Sequence, residues 1–235
     1  MLVRERPILF SGESVRQLLA GVKTQTRRVV NPPPHPAISS FHDLDGAFKP
    51  GWGRGLRDVD DAVPYNACIG CPYGQPGDRL WCRETWQYAD WTEDGYPLIR
   101  YQSDGATSWR ERGIPESLAE QVWAPLSVPE NFDIDGKAAD RRWRPSIFMP
   151  RWASRLTLEI TDVRVERLQD ISYADVIDEG CPTPASTLAS PDDHDWYIRL
   201  WDSLNAKRKG GAFSWASNPL VWVLTFRVLA PDGVA

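Results

Sequence analysis

One pair of cysteines has a spacing that suits metal binding. Cys68 and Cys71 form a Cys-x-x-Cys pair, the arrangement by which zinc knuckles supply two of their four ligands. Five other residues could complete such a site, although none forms a second paired motif: Cys82, Cys181, His35, His42 and His194. The alternative is two reduced thiols in a loop rich in proline and glycine. Structural zinc is therefore one hypothesis, and we expect no other cofactor.

Arginine and tryptophan recur in a pattern that suits a nucleobase or a phosphate. The chain holds 12 tryptophans, and indole rings can stack on bases. Arg83 and Glu84 lead directly to Trp86, so Glu84 could accept hydrogen bonds from a base amine while Trp86 stacks on its ring. Three further residues could line the same mouth: Arg144, Arg151 and Trp152. Ordinary core packing, including cation–π pairs between arginine and tryptophan, is the alternative interpretation.

Several function classes lack support in the sequence. There is no glycine-rich phosphate loop, no HExxH motif and no G-x-S-x-G motif, so neither an ATP-dependent enzyme nor a serine hydrolase is indicated. The net charge is −5 and the isoelectric point about 5.3. Proteins that coat duplex DNA usually carry a basic excess. The acidic balance argues against broad phosphate binding, but it leaves room for a small basic pocket.

The hydrophobic segments predict a cytoplasmic protein with no membrane partner. No stretch approaches the 18 or more apolar residues of a membrane span. Arg4, Glu5 and Arg6 interrupt the first ten residues, which therefore do not resemble a signal peptide. Cysteines in such a compartment need not form disulfides.

Hydrophobic periodicity predicts ordered elements near both ends of the chain, with long insertions between them. Strands are expected near residues 7–10, 23–30, 79–86, 155–165 and 220–229, and helices near residues 14–20, 173–179 and 197–204. Residues 31–76 and 87–148 are expected to be irregular insertions, the second holding one short hairpin near residues 97–102. Strands and helices do not alternate regularly, so a doubly wound sheet is disfavoured. We expect an α+β, mainly β, single domain over residues 1–235, built as a small, partly closed β-barrel with flanking helices.

Three short segments resemble the signatures of ASCH domains, which belong to the PUA-like superfamily. Residues 21–28 (GVKTQTRR) resemble the G-x-K-T-x-T-x-R motif that closes the first helix and opens the first barrel strand. Residues 77–80 (GDRL) resemble the Gly-Asp turn of the second signature. Residues 178–180 (DEG), followed by a loop, a helix and a Trp/Phe-rich strand, resemble the C-terminal half. The order of the three segments predicts the ASCH fold.

A closer resemblance extends over nearly the whole chain. Residues 71–74, 83–86, 144–146 and 149–155 are similar to segments of ASCH-like proteins that bacteriophages and prophages carry. Members of that group often have histidine before the Met-Pro-Arg-Trp run, where this chain has Phe148. A role of that histidine therefore does not carry over. The resemblance places the protein in the cytoplasm of a host cell if a phage encodes it.

What the resemblance implies about function is divided among three activities. Some small bacterial ASCH proteins are amidohydrolases that remove the acyl group of N4-acetylcytidine, others were proposed to bind RNA, and at least one relative is described as a ribonuclease. The working residues of the amidohydrolases match Lys23, Thr26 and Glu179. Thr24 and Arg28 match motif positions expected to contact substrate, with a surface strand arginine as the alternative for Arg28.

The matched residues can perform amide hydrolysis without a metal. That reaction needs an activated nucleophile, a proton for the leaving amine and stabilisation of an oxyanion. A desolvated lysine such as Lys23 has a lowered pKa and can act as a base. Glu179 could position water and carry its proton, and Thr26 could be a nucleophile or a hydrogen-bond donor.

Three hypotheses for the function follow, and the partner in each is a nucleoside or a nucleic acid. The first is an amidohydrolase of N4-acylated cytidine or another modified pyrimidine, favoured by the intact Lys23, Thr26 and Glu179 set. The second is a non-catalytic module that binds RNA or modified DNA, favoured by long insertions that a free nucleoside does not require. The third is a ribonuclease. The sequence indicates no oligomeric state.

Overall fold

The computed structural model describes residues 3–31, 38–44, 47–52, 69–91, 97–108, 142–182 and 191–229. In these ranges the fold is α+β and dominated by strands, which confirms the predicted class. The strands are β1 (Glu5–Leu9), β2 (Gln25–Val29), β3 (Ile38–Leu44), β4 (Ala47–Trp52), β5 (Ile69–Gly70), β6 (Arg79–Arg83), β7 (Trp86–Trp91), β8 (Pro97–Tyr101), β9 (Thr107–Ser108), β10 (Thr157–Arg167) and β11 (Leu220–Leu229). The helices are α1 (Gly12–Leu19), α2 (Tyr173–Asp178) and α3 (Pro191–Asn205).

The strands form three sheets. A five-stranded sheet has the order β1-β6-β10-β11-β2, and two three-stranded sheets have the orders β3-β4-β5 and β7-β8-β9. Within the described ranges the two outer strands of each sheet do not pair with each other, so none of these sheets closes into a barrel. The mainly β fold is therefore confirmed, whereas the partly closed barrel is not.

The prediction of an irregular insertion over residues 31–76 was wrong in part. β3 and β4 pair in antiparallel register from Ile38↔Trp52 to Leu44↔Ala47, and β5 adds two residues to the same sheet. The signal was present in the sequence. Asp45-Gly46 stands between the last paired residues, and Asp-Gly is among the dipeptides that most favour a two-residue hairpin connection.

The second predicted insertion also contains a sheet. β8, where one hairpin was expected, pairs with β7 from Trp86↔Tyr101 to Trp91↔Pro97, and β9 pairs with the other edge of β8. The register of β7 shifts by one residue between Tyr88 and Asp90. Residues 109–141 lie outside the described part of the chain.

The predicted helices are confirmed, with starts and stops that follow local chemistry. Ser172 caps α2: its hydroxyl accepts from the N–H of Asp175, whose carboxylate accepts from the N–H of Ser172, a reciprocal capping box. Gly180, at φ +96°, ends that helix. The spacing of Tyr197, Leu200, Trp201 and Leu204 predicts one apolar face of α3. Tyr197 and Trp201 are buried there, whereas Leu204 is 54% exposed.

The chain divides into two compact units. The first contains residues 1–5, 20–79 and 158–228, and the second contains residues 6–19, 80–157 and 229–235. The core of the first unit includes Leu168, Ile171, Val176, Cys181, Tyr197, Trp201, Val221 and Val223. The core of the second includes Trp86, Tyr88, Ile99, Tyr101, Met149, Trp152 and Ala153. That residues 1–235 act as one domain stays a prediction. No helix in the described ranges is long and apolar enough to span a bilayer.

A tight turn before β6 depends on the carboxylate of Asp78. Its Oδ1 accepts from the N–H of Arg4 at 3.0 Å and its Oδ2 from the N–H of Gln75 at 3.1 Å. A Cβ on Gly74 would lie 2.8 Å from that Oδ2, and the φ of Gly74 is +124°. Because backbone donors hold the carboxylate, it cannot move aside.

We therefore expect Gly74→Ala to lower the free energy of unfolding by about 3 kcal/mol, through strain and overlap together. Gly77→Ala is the matched control, since Gly77 has φ +90° but no heavy atom within 4 Å of the added Cβ. Strain alone predicts a loss of about 1–2 kcal/mol there. Urea unfolding of both variants measures the difference, and equal losses would show that Asp78 yields to the methyl group.

Candidate functional site

Lys23 and Glu179 form a buried ion pair in the first unit. The Lys23 Nζ donates to Oε2 of Glu179 at 2.7 Å and to its backbone carbonyl, also at 2.7 Å. Their side chains are 3% and 5% exposed. Lys23 stands two residues before β2, and Glu179 is the residue after the last turn of α2. The structure therefore brings together two of the three residues predicted to be catalytic.

The end of α2 explains why these residues meet. The last carbonyls of a helix lack intrahelical donors. Here the N–H of Thr24 donates to the carbonyl of Asp178 at 2.8 Å, and the Thr24 hydroxyl donates to the Asp178 carboxylate at 3.0 Å. The ammonium of Lys23 donates to the next carbonyl, that of Glu179, at the helix end where the helix dipole also favours a cation. Thr24 thus contacts the helix end and fixes the start of β2.

Arg27 extends the pair into a buried charge network. Its Nε and Nη2 donate to Oε1 of Glu166 at 3.0 and 2.6 Å, and Nη2 lies 3.1 Å from the carboxylate of Asp175. Its Nη1 donates to Gln25 at 2.6 Å and to Oε1 of Glu179 at 3.4 Å. The Arg27 side chain has no exposed surface. The sequence interpretation missed Arg27. Its position four residues after Lys23 was a usable signal, because such residues lie on the same face of an extended segment.

Tyr197 completes the surroundings of Glu179 from helix α3. Its hydroxyl lies 3.5 Å from Oε1 of Glu179, longer than a usual O–H···O hydrogen bond. Burial, and then the negative charge of Glu179, raise the pKa of Tyr197 well above its ordinary value. The hydroxyl therefore stays protonated and faces the carboxylate as a donor.

Burial governs the proton affinity of the lysine. Burial lowers the pKa of Lys23, the charge and hydrogen bond of Glu179 oppose that effect, and Arg28 and Arg27 lower it further. The resulting pKa lies below that of an ordinary lysine. Burial also lowers the pKa of Arg27, but the charges of Glu179 and Glu166 and the hydrogen bond to Glu166 outweigh it and leave that pKa raised. Of the two cations beside Glu179, Lys23 is thus the one that can give up a proton.

Thr26 and Arg28 have the opposite parity along β2 from Lys23 and Arg27. Thr26 is 4% exposed and pairs in register with Leu224, and the half-buried Arg28 pairs with Trp222. Side chains alternate between the two faces of a strand. The side chains of Thr26 and Arg28 therefore project from one face of β2, and the Lys23–Glu179 pair lies on the other face. The predicted catalytic set therefore occupies both faces of β2.

In the second unit, Glu84 is buried in a network of its own. Its oxygens accept from the Nε and Nη2 of Arg155, each at 2.9 Å, and Oε2 accepts from the Ser103 hydroxyl at 2.7 Å. Arg155 also donates to Asp104 at 2.8 Å and stacks 4.1 Å from the centroid of Tyr101. Arg155, which the sequence interpretation did not select, satisfies the carboxylate that was predicted to bind a base.

The predicted aromatic residues belong to the core of the second unit. Trp86 and Trp152 are 3% and 8% exposed, and their ring centroids lie 6.2 Å apart in an edge-to-face arrangement. The Arg144 guanidinium lies 5.4 Å from the Trp86 centroid, and the backbone N–H of each residue donates to the carbonyl of the other. The other two arginines contact neighbours in the same unit: Arg83 lies over the Trp81 ring, and Arg151 donates to Thr157.

The zinc hypothesis falls partly outside the described residues, because Cys68 lies in residues 53–68. Cys71 is buried, at 8% exposure. In the described part of the chain, histidine, cysteine and acidic side chains form no cluster of three or more that could hold a metal ion.

Comparison of the chain with protein-family models, curated proteins and solved structures finds no match. The functional interpretation therefore depends on the geometry of the site and on the resemblance of the short segments.

Asp175 links the network to the acid stability of the first unit. Burial raises its pKa, but hydrogen bonds from Ser172 and Gln25 and the charge of Arg27 bring that pKa from 3.8 to about 2. A lowered carboxyl pKa contributes stability that is present above pH 4 and lost as the pH falls through about 2. We expect Asp175→Asn to remove about 1–2 kcal/mol of this contribution.

The measurement is urea unfolding at pH 5, 4, 3 and 2. Wild type should lose stability between pH 4 and 2, whereas Asp175→Asn should show a flatter dependence. Asp162→Asn is the control, because that carboxylate is 58% exposed and lies 3.9 Å from Arg164. Parallel losses in wild type and Asp175→Asn would contradict the lowered pKa.

Proposed function

We propose that this protein is an ASCH-type member of the PUA-like superfamily and a metal-independent amidohydrolase of N4-acylated cytidine or another modified pyrimidine. The five-stranded sheet would then be the counterpart of the small barrel of that superfamily. The observation that carries the proposal is the buried contact of 2.7 Å between Lys23 Nζ and Glu179 Oε2. The two residues stand at positions that match working residues of the ASCH amidohydrolases.

The chemistry that this pair supports is proton transfer around an amide. In its neutral form the amine of Lys23 can accept a proton from a water molecule as that water attacks the acyl carbon, because the Thr26 hydroxyl lies on the opposite face of β2. The lysine, or Glu179 after receiving the proton, then protonates N4 as the C–N bond breaks. The products are a carboxylic acid and the free pyrimidine amine, so one water is consumed for each bond cleaved.

The lowered pKa of Lys23 fits this role. A lower pKa increases the neutral fraction of an amine at a given pH, and only the neutral amine is a base. Arg27, whose pKa is raised, remains a permanent cation beside the same carboxylate. The site therefore contains one exchangeable and one fixed positive charge.

The test is turnover of N4-acetylcytidine, its deoxy form and a panel of acylated pyrimidines, followed by mass spectrometry. We expect Lys23→Met and Glu179→Gln to lower kcat/KM by about 100-fold or more, the usual size of a general acid–base contribution. Both substitutions keep side-chain volume, which limits collapse of the buried site. Arg227→Gln, in an ion pair whose arginine side chain is 66% exposed, is the control that should retain activity.

The outcomes separate the hypotheses. Wild type that is folded but inactive on every compound, or Lys23→Met that matches wild type, would contradict the amidohydrolase proposal. RNA included in the same incubations and cleaved in a Lys23-dependent way would instead support the ribonuclease alternative.

A second function, binding of RNA or modified DNA, is favoured by a different observation in the second unit. The indole N–H groups of Trp86 and Trp152 are buried, and neither donates to an acceptor in the described residues. A buried donor without an acceptor is destabilising by about 1–3 kcal/mol. Such donors are therefore uncommon in a core, and an acceptor from a ligand would satisfy them.

Exposed rings on a neighbouring segment support the same alternative. Trp143 is 42% exposed and Phe148 is 70% exposed, and Arg142 and Arg144 lie on the same short segment. Exposed rings beside arginines are the usual means of holding single-stranded nucleic acid, by stacking on bases and attracting phosphates. This arrangement supports a partner longer than a free nucleoside.

We expect a fluorescein-labelled single-stranded RNA to bind at low salt and to bind more weakly as salt increases. Trp143→Ala and Phe148→Ala should each weaken binding about tenfold or more, since one stacked base is worth about 1–3 kcal/mol. Leu204→Ala, a truncation of another apolar side chain that is 54% exposed, is the matched control and should bind as wild type does. Anisotropy that is unchanged at 20 mM salt, with RNA and with modified DNA, would exclude this alternative.

A further inference from the structure

The guanidinium of Arg27 bonds to four side chains from three parts of the first unit. It donates to Gln25 on its own strand, to Glu166 on β10 and to Glu179 at the end of α2, and it lies 3.1 Å from Asp175 on α2. Every nitrogen of the guanidinium has at least one of these acceptors. A planar fork can hold several acceptors at fixed angles, which an ammonium cannot do.

The two oxygens of Glu179 are held unequally. Oε2 accepts from Lys23 at 2.7 Å, whereas Oε1 accepts from Arg27 at 3.4 Å and lies 3.5 Å from the Tyr197 hydroxyl. Arg27 therefore takes one edge of the carboxylate and leaves the other to Lys23. Rotation of the carboxylate would exchange a short bond for a long one, so the arrangement has a defined orientation.

Arg27 also determines which carboxylate Lys23 contacts. Three carboxylates lie in the network, on Glu166, Asp175 and Glu179, and Arg27 contacts all of them. Arg164 contacts Glu166 at 3.1 Å and Asp175 at 2.9 Å from the more exposed side. Since Arg27 and Arg164 hold Glu166 and Asp175, the carboxylate that Lys23 contacts is that of Glu179.

We propose that Arg27 is a positioning residue of the site, which keeps Glu166 and Asp175 away from Lys23 and orients Glu179 so that the lysine shares a single carboxylate. This inference rests on the proposed function, because it explains how Lys23 is kept ready to act as a base. It concerns a residue that contacts Glu179 and not the reacting amide.

Loss of Arg27 would act on Lys23 in three ways that have the same sign. A nearby positive charge disappears, Glu179 becomes available to Lys23 alone, and Glu166 and Asp175 lose a counter-charge. Each change favours the ammonium form, so the pKa of Lys23 rises. In the described ranges, the other charged or titratable groups near this network are Asp162 and Arg164 from β10, Asp178 from α2, Tyr197 from α3, and Arg28, whose charge acts on Lys23 from the other face of β2.

The experiment is an NMR titration of protein labelled in its five lysines, with the Lys23 signal assigned by its absence in Lys23→Met. Arg27→Gln should raise the pKa of Lys23 by at least about 1, a tenfold change in proton affinity. Arg27→Lys, which keeps the charge but not the fork, should raise it by about half as much. Arg164→Gln is the matched control, because it removes an arginine from the same Glu166 and Asp175, and it should change the pKa of Lys23 by less than about 0.3.

Two results would overturn the inference. One is an equal pKa of Lys23 in the Arg27→Gln and Arg164→Gln proteins. The other is a pKa in Arg27→Lys that equals the wild-type value, because charge alone would then account for the effect. Arg27→Lys also keeps the test decisive if Arg27→Gln does not fold, which circular dichroism would show.

Turnover separates this inference from the proposed function. A base must be deprotonated, so kcat/KM for acetylcytidine should rise with pH through the pKa of Lys23. In Arg27→Gln that rise should move to higher pH by the same amount as the titration. If the pKa of Lys23 shifts as expected but wild type does not hydrolyse any acylated pyrimidine, the positioning role stands and the amidohydrolase proposal falls.

Discussion

Burial of the Glu179 carboxylate is the constraint around which the first unit is arranged. An isolated charge in a protein interior is strongly unfavourable, so a buried carboxylate requires cations and donors at fixed places. Arg27 from β2 and Lys23 from the residues just before it supply the cations, which fixes where that strand begins relative to the end of α2. Gly180 is equally necessary, because its positive φ ends the helix where both the side chain and the carbonyl of Glu179 meet Lys23. The helix stop at Gly180 and the ion pairs of Glu179 therefore fix the same contact between the end of α2 and the start of β2.

The second unit buries a carboxylate by a different solution, and the contrast is informative. Glu84 is held by the fork of Arg155 and by Ser103, so its partner is a cation that does not deprotonate in proteins. Desolvation and two carboxylates act on Arg155, and the hydrogen bonds and charges of Glu84 and Asp104 leave its pKa raised. Glu179, by contrast, is shared between an arginine and a lysine. Glu84 is therefore paired with a permanent cation, Arg155, whereas Glu179 also contacts Lys23, which can exchange a proton.

Much of the fold was accessible from local sequence signals, because caps, glycine stops and periodicity are local. The capping box at Ser172, the stop at Gly180 and the apolar face of α3 are examples. The convergence of Lys23 with Glu179 came from the resemblance and not from spacing, since tertiary packing decides which distant residues meet. Arg155 was missed because a paired arginine has no local signature, whereas Arg27 was missed although its spacing from Lys23 was a usable signal. β3 and β4 were missed because the prolines and glycines of this region predicted irregular structure and the Asp45-Gly46 dipeptide was not weighed as a hairpin signal.

The separation of Lys23 and Glu179 along the chain has a consequence for the order in which the protein acquires its chemistry. The two residues are 156 positions apart. The chain must therefore lose the conformational entropy of closing a long loop before their contact can stabilise the fold. During synthesis Lys23 leaves the ribosome long before Glu179 exists, and until then it is an ordinary hydrated lysine. Its altered acidity belongs to the assembled chain alone. A nascent or misfolded chain would therefore carry both motif residues without the lowered pKa of Lys23.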